Sequence, residues 1–246
     1  MWRGRASGLI LTCMNTRDPH RSGVFVAGTD TGIGKTFVSC ALLRALCAAG
    51  LRASGMKPVA SGCAMTPEGL RNDDALALIA ASDPKPEYAD CNPFAFVEPV
   101  SPHIAAMETR VTMAPIAAAY TRLAARAGVV IVEGVGGWLA PLSVTLLANG
   151  IPQSLRLPVI LVVGLKLGCL NHAQLTTRAI LNDGCELIGW IGNHIDPDMA
   201  RPEENLATLR ALLPVPCLGI LPFAATSDPH AQASRMSAAI EAIVSA

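Results

Sequence analysis

Along the chain, short apolar runs rich in β-branched residues alternate with longer stretches whose apolar positions recur every three or four residues. The runs at 24–27, 55–59, 129–132, 159–163, 187–191 and 218–221 predict strands. The stretches 35–49, 73–81, 114–127, 172–182, 202–213 and 231–245 predict helices, the first closed by Gly50, a natural residue just past a helix end. Strands and helices in alternation imply βαβ units around a parallel sheet. The unbroken apolar character of V-V-I-V and V-I-L-V-V implies strands covered on both faces. The fold class predicted is therefore α/β, a mostly parallel sheet flanked by helices on both faces. Residues 83–102 hold five prolines and little periodicity, and predict a long irregular connection.

Length and composition narrow this picture. A chain of 246 residues suits one α/β domain, placed here at 23–246. Residues 1–22 carry no helix or strand period and are predicted to be a disordered extension, with Met14 as an internal start. Deleting residues 1–13 is expected to leave melting temperature and turnover unchanged; loss of several degrees or of activity would mean that the segment docks. Apolar residues make up 51% and charged residues 15%, which excludes a disordered chain and calls for a large core or a subunit interface. Net charge is zero with no dense basic block, so nucleic acid is not an expected partner. No apolar run approaches bilayer length and the N-terminus has no signal-peptide core, which predicts no membrane association and a cytoplasmic location. The eight cysteines form no C-x-x-C pair and read as reduced thiols, mostly small core residues.

Candidate chemistry begins at the first strand. V-F-V-A runs into Gly28-Thr29-Asp30-Thr31-Gly32-Ile33-Gly34-Lys35-Thr36, and a helix follows at once. This strand–loop–helix context is that of a phosphate-binding loop, which makes the fold P-loop NTPase-like and ATP the expected co-substrate. Backbone N–H groups of the turn face phosphate oxygens, Lys35 supplies a positive charge, and the Thr36 hydroxyl is placed to meet Mg²⁺. The spacing is a variant, with Thr29 where the usual loop has its first glycine and Gly28 one step earlier. Mg²⁺ in such a site takes one or two carboxylates. Glu133, which ends the apolar strand 129–132 and precedes Gly134-Val135-Gly136-Gly137, is one candidate. Asp74 or its neighbour Asp73 is the other; one of the pair is free to cap the helix that starts there while its neighbour points inward.

Beyond these local motifs, the segments GTDTGIGKT (28–36), GMKPVASG (55–62), TPEGLRNDDALAL (66–78), NPFAF with EPVSPHIAA (92–106), VEGVGGWLAPL (132–142), LPVILVVGLKLGCLNHAQLT (157–176), GWIGNHIDP (189–197) and LGILP (218–222) resemble the dethiobiotin synthetase family from about residue 23 to 223. The resemblance implies a cyclo-ligase forming carbon–nitrogen bonds. Mg·ATP activates a carbamate made from CO₂ and one amine of 7,8-diaminononanoate, and the second amine then closes a cyclic urea, dethiobiotin, in biotin biosynthesis. It also implies roles for residues here: Lys57 on carbamate and transferring phosphate, Ser61 and Thr31 on substrate, and Thr36, Asp74 and Glu133 on magnesium. Gly32 to Phe37 (with Ile33 and Gly34), Asp74, and Glu133, Gly134, Val135 and Gly136 would line the nucleotide. Asn193 would read the adenine edge, with His194, Pro222, Phe223 and Ala224 bordering it. His103 is a candidate for shaping the substrate pocket, or for capping or packing, and Asp228 is a candidate ribose contact. A homodimer is implied as well. Residues 144–156, interrupted by Gly150 and Pro152, depart from the family pattern.

The alternative reading is a partition-type P-loop ATPase. That class carries a lysine four residues before the loop's Gly-Lys, where this chain has Asp30, and lacks the K-P-V-A-S-G segment.

Overall fold

The structure, a computed structural model, describes residues 23–107, 109–223 and 232–246. The expectations for residues 1–22, Ala224 and Asp228 lie outside these. In chain order the elements are β1 (Gly23–Gly28), α1 (Lys35–Ala48), β2 (Ala53–Met56), β3 (Val59–Ala60), β4 (Ala64–Thr66), β5 (Gly69–Arg71), α2 (Asp73–Ala81), α3 (Tyr88–Cys91), β6 (Phe94–Ala95), α4 (Pro102–Ala105), α5 (Met113–Ala124), β7 (Val129–Glu133), α6 (Gly150–Leu155), β8 (Val159–Leu165), α7 (Cys169–Asn182), β9 (Leu187–His194), α8 (Pro202–Leu212), β10 (Cys217–Leu221) and α9 (Ser237–Ser245).

Six strands form one sheet in the order β10-β9-β8-β1-β7-β2, and every pairing in it is parallel. The strands are apolar throughout because each face meets helices. Phe25, Val130, Val132 and Leu161 pack with Ile116, Ile151, Ala173 and Leu206 from α5 to α8, while Val24, Val26, Ile131 and Val162 pack with Leu42, Leu46, Leu78 and Ile243 from α1, α2 and α9. Chain order reverses around β1, which has β8 on one side and β7 on the other. Loops leaving β1 and β7 at their C-terminal ends therefore diverge and leave a crevice, the place where open α/β sheets bind ligands.

Several predicted bounds shift. The strand expected over 55–59 ends at Met56; Pro58 has no N–H to donate, and Val59–Ala60 instead pair with Phe94–Ala95 in a separate two-stranded ladder. The connection 83–102 is not irregular throughout, since it contains α3 and β6. Residues 150–155 do form a helix: Pro152 falls in its first turn, where an N–H would have no intrahelical partner. The segment between β7 and α6 is held by Asp183, at the end of α7, whose Oδ2 accepts from Trp138 Nε1 at 2.7 Å and Asn149 Nδ2 at 2.8 Å. No described helix is long and apolar enough to cross a membrane. The seven described cysteines are all free, and burial pushes the Cys40 and Cys91 thiols up to about 12.

Candidate active site

The loop after β1 is built around a lysine that folds back over it. Lys35 Nζ donates to Asp30 O at 2.8 Å and to Gly136 O at 2.7 Å. Its stem passes so close to Gly28 that a Cβ there would lie 2.8 Å from Lys35 Cδ. This explains the early glycine: position 28 must lack a side chain so that the lysine can cross the loop. Gly32 and Gly34 take φ of 71° and 82°, the left-handed backbone that turns N–H groups toward a common centre. Burial first, and repulsion from Lys57 second, push the Lys35 ammonium down to about 8.

Opposite the loop stand two carboxylates bridged by the second lysine. Glu133, the last residue of β7, and Asp74, in the first turn of α2, flank Lys57, whose Nζ lies 2.5 Å from Glu133 Oε1 and 2.9 Å from Asp74 Oδ2. Lys57 is 4% exposed and Glu133 1%. Burial favours a neutral Lys57, but the facing charges of Glu133 and Asp74 outweigh it and raise its pKa. Burial likewise works to raise the Asp74 carboxyl, and the Lys57 ammonium with help from Thr36 and Lys35 holds it below the usual range. Thr36 Oγ1 donates to Glu133 Oε1 at 2.8 Å, so P-loop and strand end are tied directly. Glu133 Oε2 is buried without a hydrogen-bond partner.

Between these groups lies a cleft of about 770 Å³, of a size for small molecules. Of the residues chosen from sequence, Thr31, Gly32, Gly34, Lys35, Thr36, Lys57, Ser61, Asp74, Glu133, Val135 and Gly136 line it. Ser61 Oγ is buried in its wall without a partner. Asp74 faces the cleft and Asp73 is exposed; neither caps α2, because Asn72 does so by accepting from Ala75 N at 3.2 Å. Ile33 turns into the core, Phe37 packs beside it, and Gly134 abuts the Phe25 ring. Asn193 and His194 end β9 and Pro222 and Phe223 follow β10, outside the cleft lining. Asn193 nevertheless touches the P-loop, donating from Nδ2 to Ile33 O at 2.9 Å. His103 is exposed on α4, bonded to Ser101 Oγ at 2.9 Å and outside the lining.

The model of the family described as an AAA domain matches residues 22–231. ATP-dependent dethiobiotin synthetase BioD of Xanthomonas euvesicatoria pv. vesicatoria is 58% identical over 211 residues, covering 85% of this chain and 94% of that protein. This chain belongs to the dethiobiotin synthetase family. The protein of the same description from Xylella fastidiosa strain 9a5c is 60% identical over 203 residues, 82% of this chain and 90% of its own. Among solved structures, the signal recognition particle receptor FtsY of Elizabethkingia anophelis in complex with GDP aligns at a TM-score of 0.49 with 16% identity, over 89% of this chain and 61% of its own.

In this dethiobiotin synthetase family member the cleft has walls that the sequence reading missed. Asn72, Ala60, Gly137 and Ala140 line it, as do residues 99–102. Asn72 was detectable, since an asparagine before two aspartates and an apolar helical run is an N-cap signature. Residues 99–102 fall in the E-P-V-S-P-H-I-A-A segment of the family resemblance, but they belong to a proline-rich connection without periodicity, and nothing local marks them as lining a site.

Proposed function

We propose that the cleft performs the dethiobiotin synthetase reaction, with Lys57 acting on the carbamate and the transferred phosphoryl group and Lys35 holding ATP phosphates. The chain is an ATP-dependent ligase of biotin biosynthesis in this reading. The observation that carries it is the convergence of two lysine ammonium groups, the Thr36 hydroxyl and two carboxylates on one cleft, brought from α1, α2, β7 and the turn after β2. Carbon dioxide adds to one amine of 7,8-diaminononanoate with loss of a proton, giving a carbamate. A carbamate oxygen displaces ADP from the γ-phosphorus of ATP, and the second amine then attacks the carbonyl carbon and expels phosphate, closing the urea ring. Two anions must approach for the phosphoryl step, and two buried cations in one cleft offset their repulsion and orient them. No enzyme nucleophile is needed. Thr31 and Ser61 face the substrate side, the latter with a free buried hydroxyl oxygen to satisfy. Gly32 to Phe37 and Glu133 to Gly136 take the nucleotide phosphates, and Asn193, His194, Pro222 and Phe223 border the base.

Thr36, Asp74 and Glu133 fit Mg²⁺, which takes one or two carboxylates and keeps several waters. Glu133 offers an unpartnered buried oxygen, and Thr36 Oγ1 sits beside its twin. When bound, Mg²⁺ neutralises charge on the phosphate oxygens. Among the described residues no three His, Cys, Asp or Glu side chains converge.

The reading places a single P-loop domain at 23–246 in the cytoplasm, acting as a homodimer. Large side chains left open to solvent support the dimer, with Val144 99% and Leu167 92% exposed. Light scattering is expected to return twice the 25.6 kDa chain mass, and a fully active monomer would refute the dimer. The function itself is tested by phosphate release from ATP with bicarbonate, with and without diaminononanoate. Diamine-dependent release is expected; release indifferent to the diamine would favour a partition-type ATPase.

A further inference from the structure

Lys57 stands one residue past the end of β2, whose last ladder partner is Met56 on Val132. The sheet therefore does not hold its peptide. Residues of the proline-rich connection do: Lys57 N donates to Cys91 O at 2.7 Å, and Lys57 O accepts from Asn92 Nδ2 at 2.7 Å. Asn92 is 4% exposed, and its Oδ1 accepts from the Tyr88 hydroxyl at 2.9 Å. That hydroxyl in turn accepts from Asn72 N at 2.8 Å, at the head of the helix that carries Asp74. A relay of three hydrogen bonds thus runs from the Lys57 carbonyl through Asn92 and Tyr88 to α2. It spans the same two elements that the Lys57–Asp74 ion pair joins on the cleft side.

We propose that Tyr88 and Asn92 are positioning residues for the ligase reaction, setting the Lys57 ammonium relative to Asp74 and the reacting groups. The inference rests on the role given to Lys57 above. The ion pair cannot do this work throughout turnover, because the Lys57 ammonium must turn from the carboxylates toward the carbamate and phosphate it serves. The relay acts on backbone at both ends and stays closed while the side chain moves. Tyr88 is suited to the middle of it, since one hydroxyl both donates and accepts. Burial pushes that hydroxyl's pKa up, which keeps the donated proton in place. The Arg71 guanidinium lies over the ring, 4.2 Å from its centroid, and forms none of the three relay hydrogen bonds.

The test measures steady-state kinetics and melting of Tyr88→Phe, Asn92→Asp, Arg71→Ala and Lys57→Gln. Tyr88→Phe removes one relay atom and keeps the ring; Asn92→Asp keeps size and removes the donor to Lys57 O. Both are expected to lower kcat roughly 10- to 100-fold, the scale of a small displacement at the reacting groups, with KM for ATP within about twofold. Arg71→Ala, which loses the ring's cover and the guanidinium's hydrogen bond to Leu70 O but no bond of the relay, is expected to keep wild-type kcat. Wild-type kcat in Tyr88→Phe, an equal loss in Arg71→Ala, or a loss accompanied by a matching rise in KM for ATP would each overturn the proposal. If Lys57→Gln kept its kcat, the role of Lys57 would fall instead. An inactive Lys57→Gln beside an unchanged Tyr88→Phe would remove the positioning relay alone.

Discussion

Lys57→Gln is expected to lower kcat for ring closure by roughly 10²–10³-fold while ATP affinity stays within a few fold. The asymmetry follows from where the ammonium sits. Lys35 reaches across the P-loop to the carbonyls of Asp30 and Gly136, which suits its proposed role on resting phosphate, whereas Lys57 lies on the α2 and β7 side, between Asp74 and Glu133. In the proposed reaction its interaction strengthens as charge moves onto the transferring group, so its loss would fall on the transition state. The variant is also expected to melt lower. It leaves Glu133, 1% exposed, without its cation, and breaking such a buried pair costs about 3–5 kcal/mol. Calorimetric titration with ATP and single-turnover kinetics separate the two effects. Near-normal turnover, or an affinity loss as severe as that of a Lys35 variant, would disprove the assigned role.

The second large effect is expected at Gly34. Alanine there must adopt φ of 82°, which costs an L-residue about 1–2 kcal/mol, and its Cβ would lie within contact distance of Asn193 Nδ2. Asn193 cannot withdraw freely because that nitrogen holds Ile33 O, and forfeiting the bond adds about 1 kcal/mol. Together these cost the ligand-free loop roughly 2–3 kcal/mol, and where the loop relaxes out of its present shape to escape that cost, ATP affinity is expected to fall by up to about a hundredfold. Gly32 is the internal comparison: its φ is 71°, but a Cβ there meets nothing within 4 Å, so Gly32→Ala carries the backbone cost alone. Equal affinities for the two variants in calorimetric titration would show that the Asn193 contact does not shape the loop.

What sequence made legible was local in origin. The P-loop declares itself because strand, turn and helix are contiguous, and Glu133 because one acid closes a wholly apolar strand. The parallel sheet followed from alternation, but its order did not, since the placement of β8 and β7 on either side of β1 is decided by packing between distant segments. Asp73 and Asp74 are inseparable in sequence because either aspartate could cap the helix, whereas the cap is Asn72, one residue earlier. Lys57 and Ser61 were reached only through family resemblance; neither has a local pattern that distinguishes it from a surface residue. The supports beneath Lys57 were invisible for the same reason, Tyr88 and Asn92 lying in a segment without periodicity.

The run Gly134-Val135-Gly136-Gly137 supplies a carbonyl to Lys35 and a wall to the cleft. Three glycines would ordinarily leave such a loop with much conformational freedom to surrender when a ligand arrives. Here its entry is fixed by Glu133 in the sheet and its exit by Trp138, whose indole nitrogen is bound to Asp183 and whose ring meets Phe25 edge-on at 6.2 Å. Held at both ends, the loop has less freedom left to surrender to a ligand, and the Asp183 carboxylate at the C-terminal end of α7 thereby bears on a cleft that it does not line.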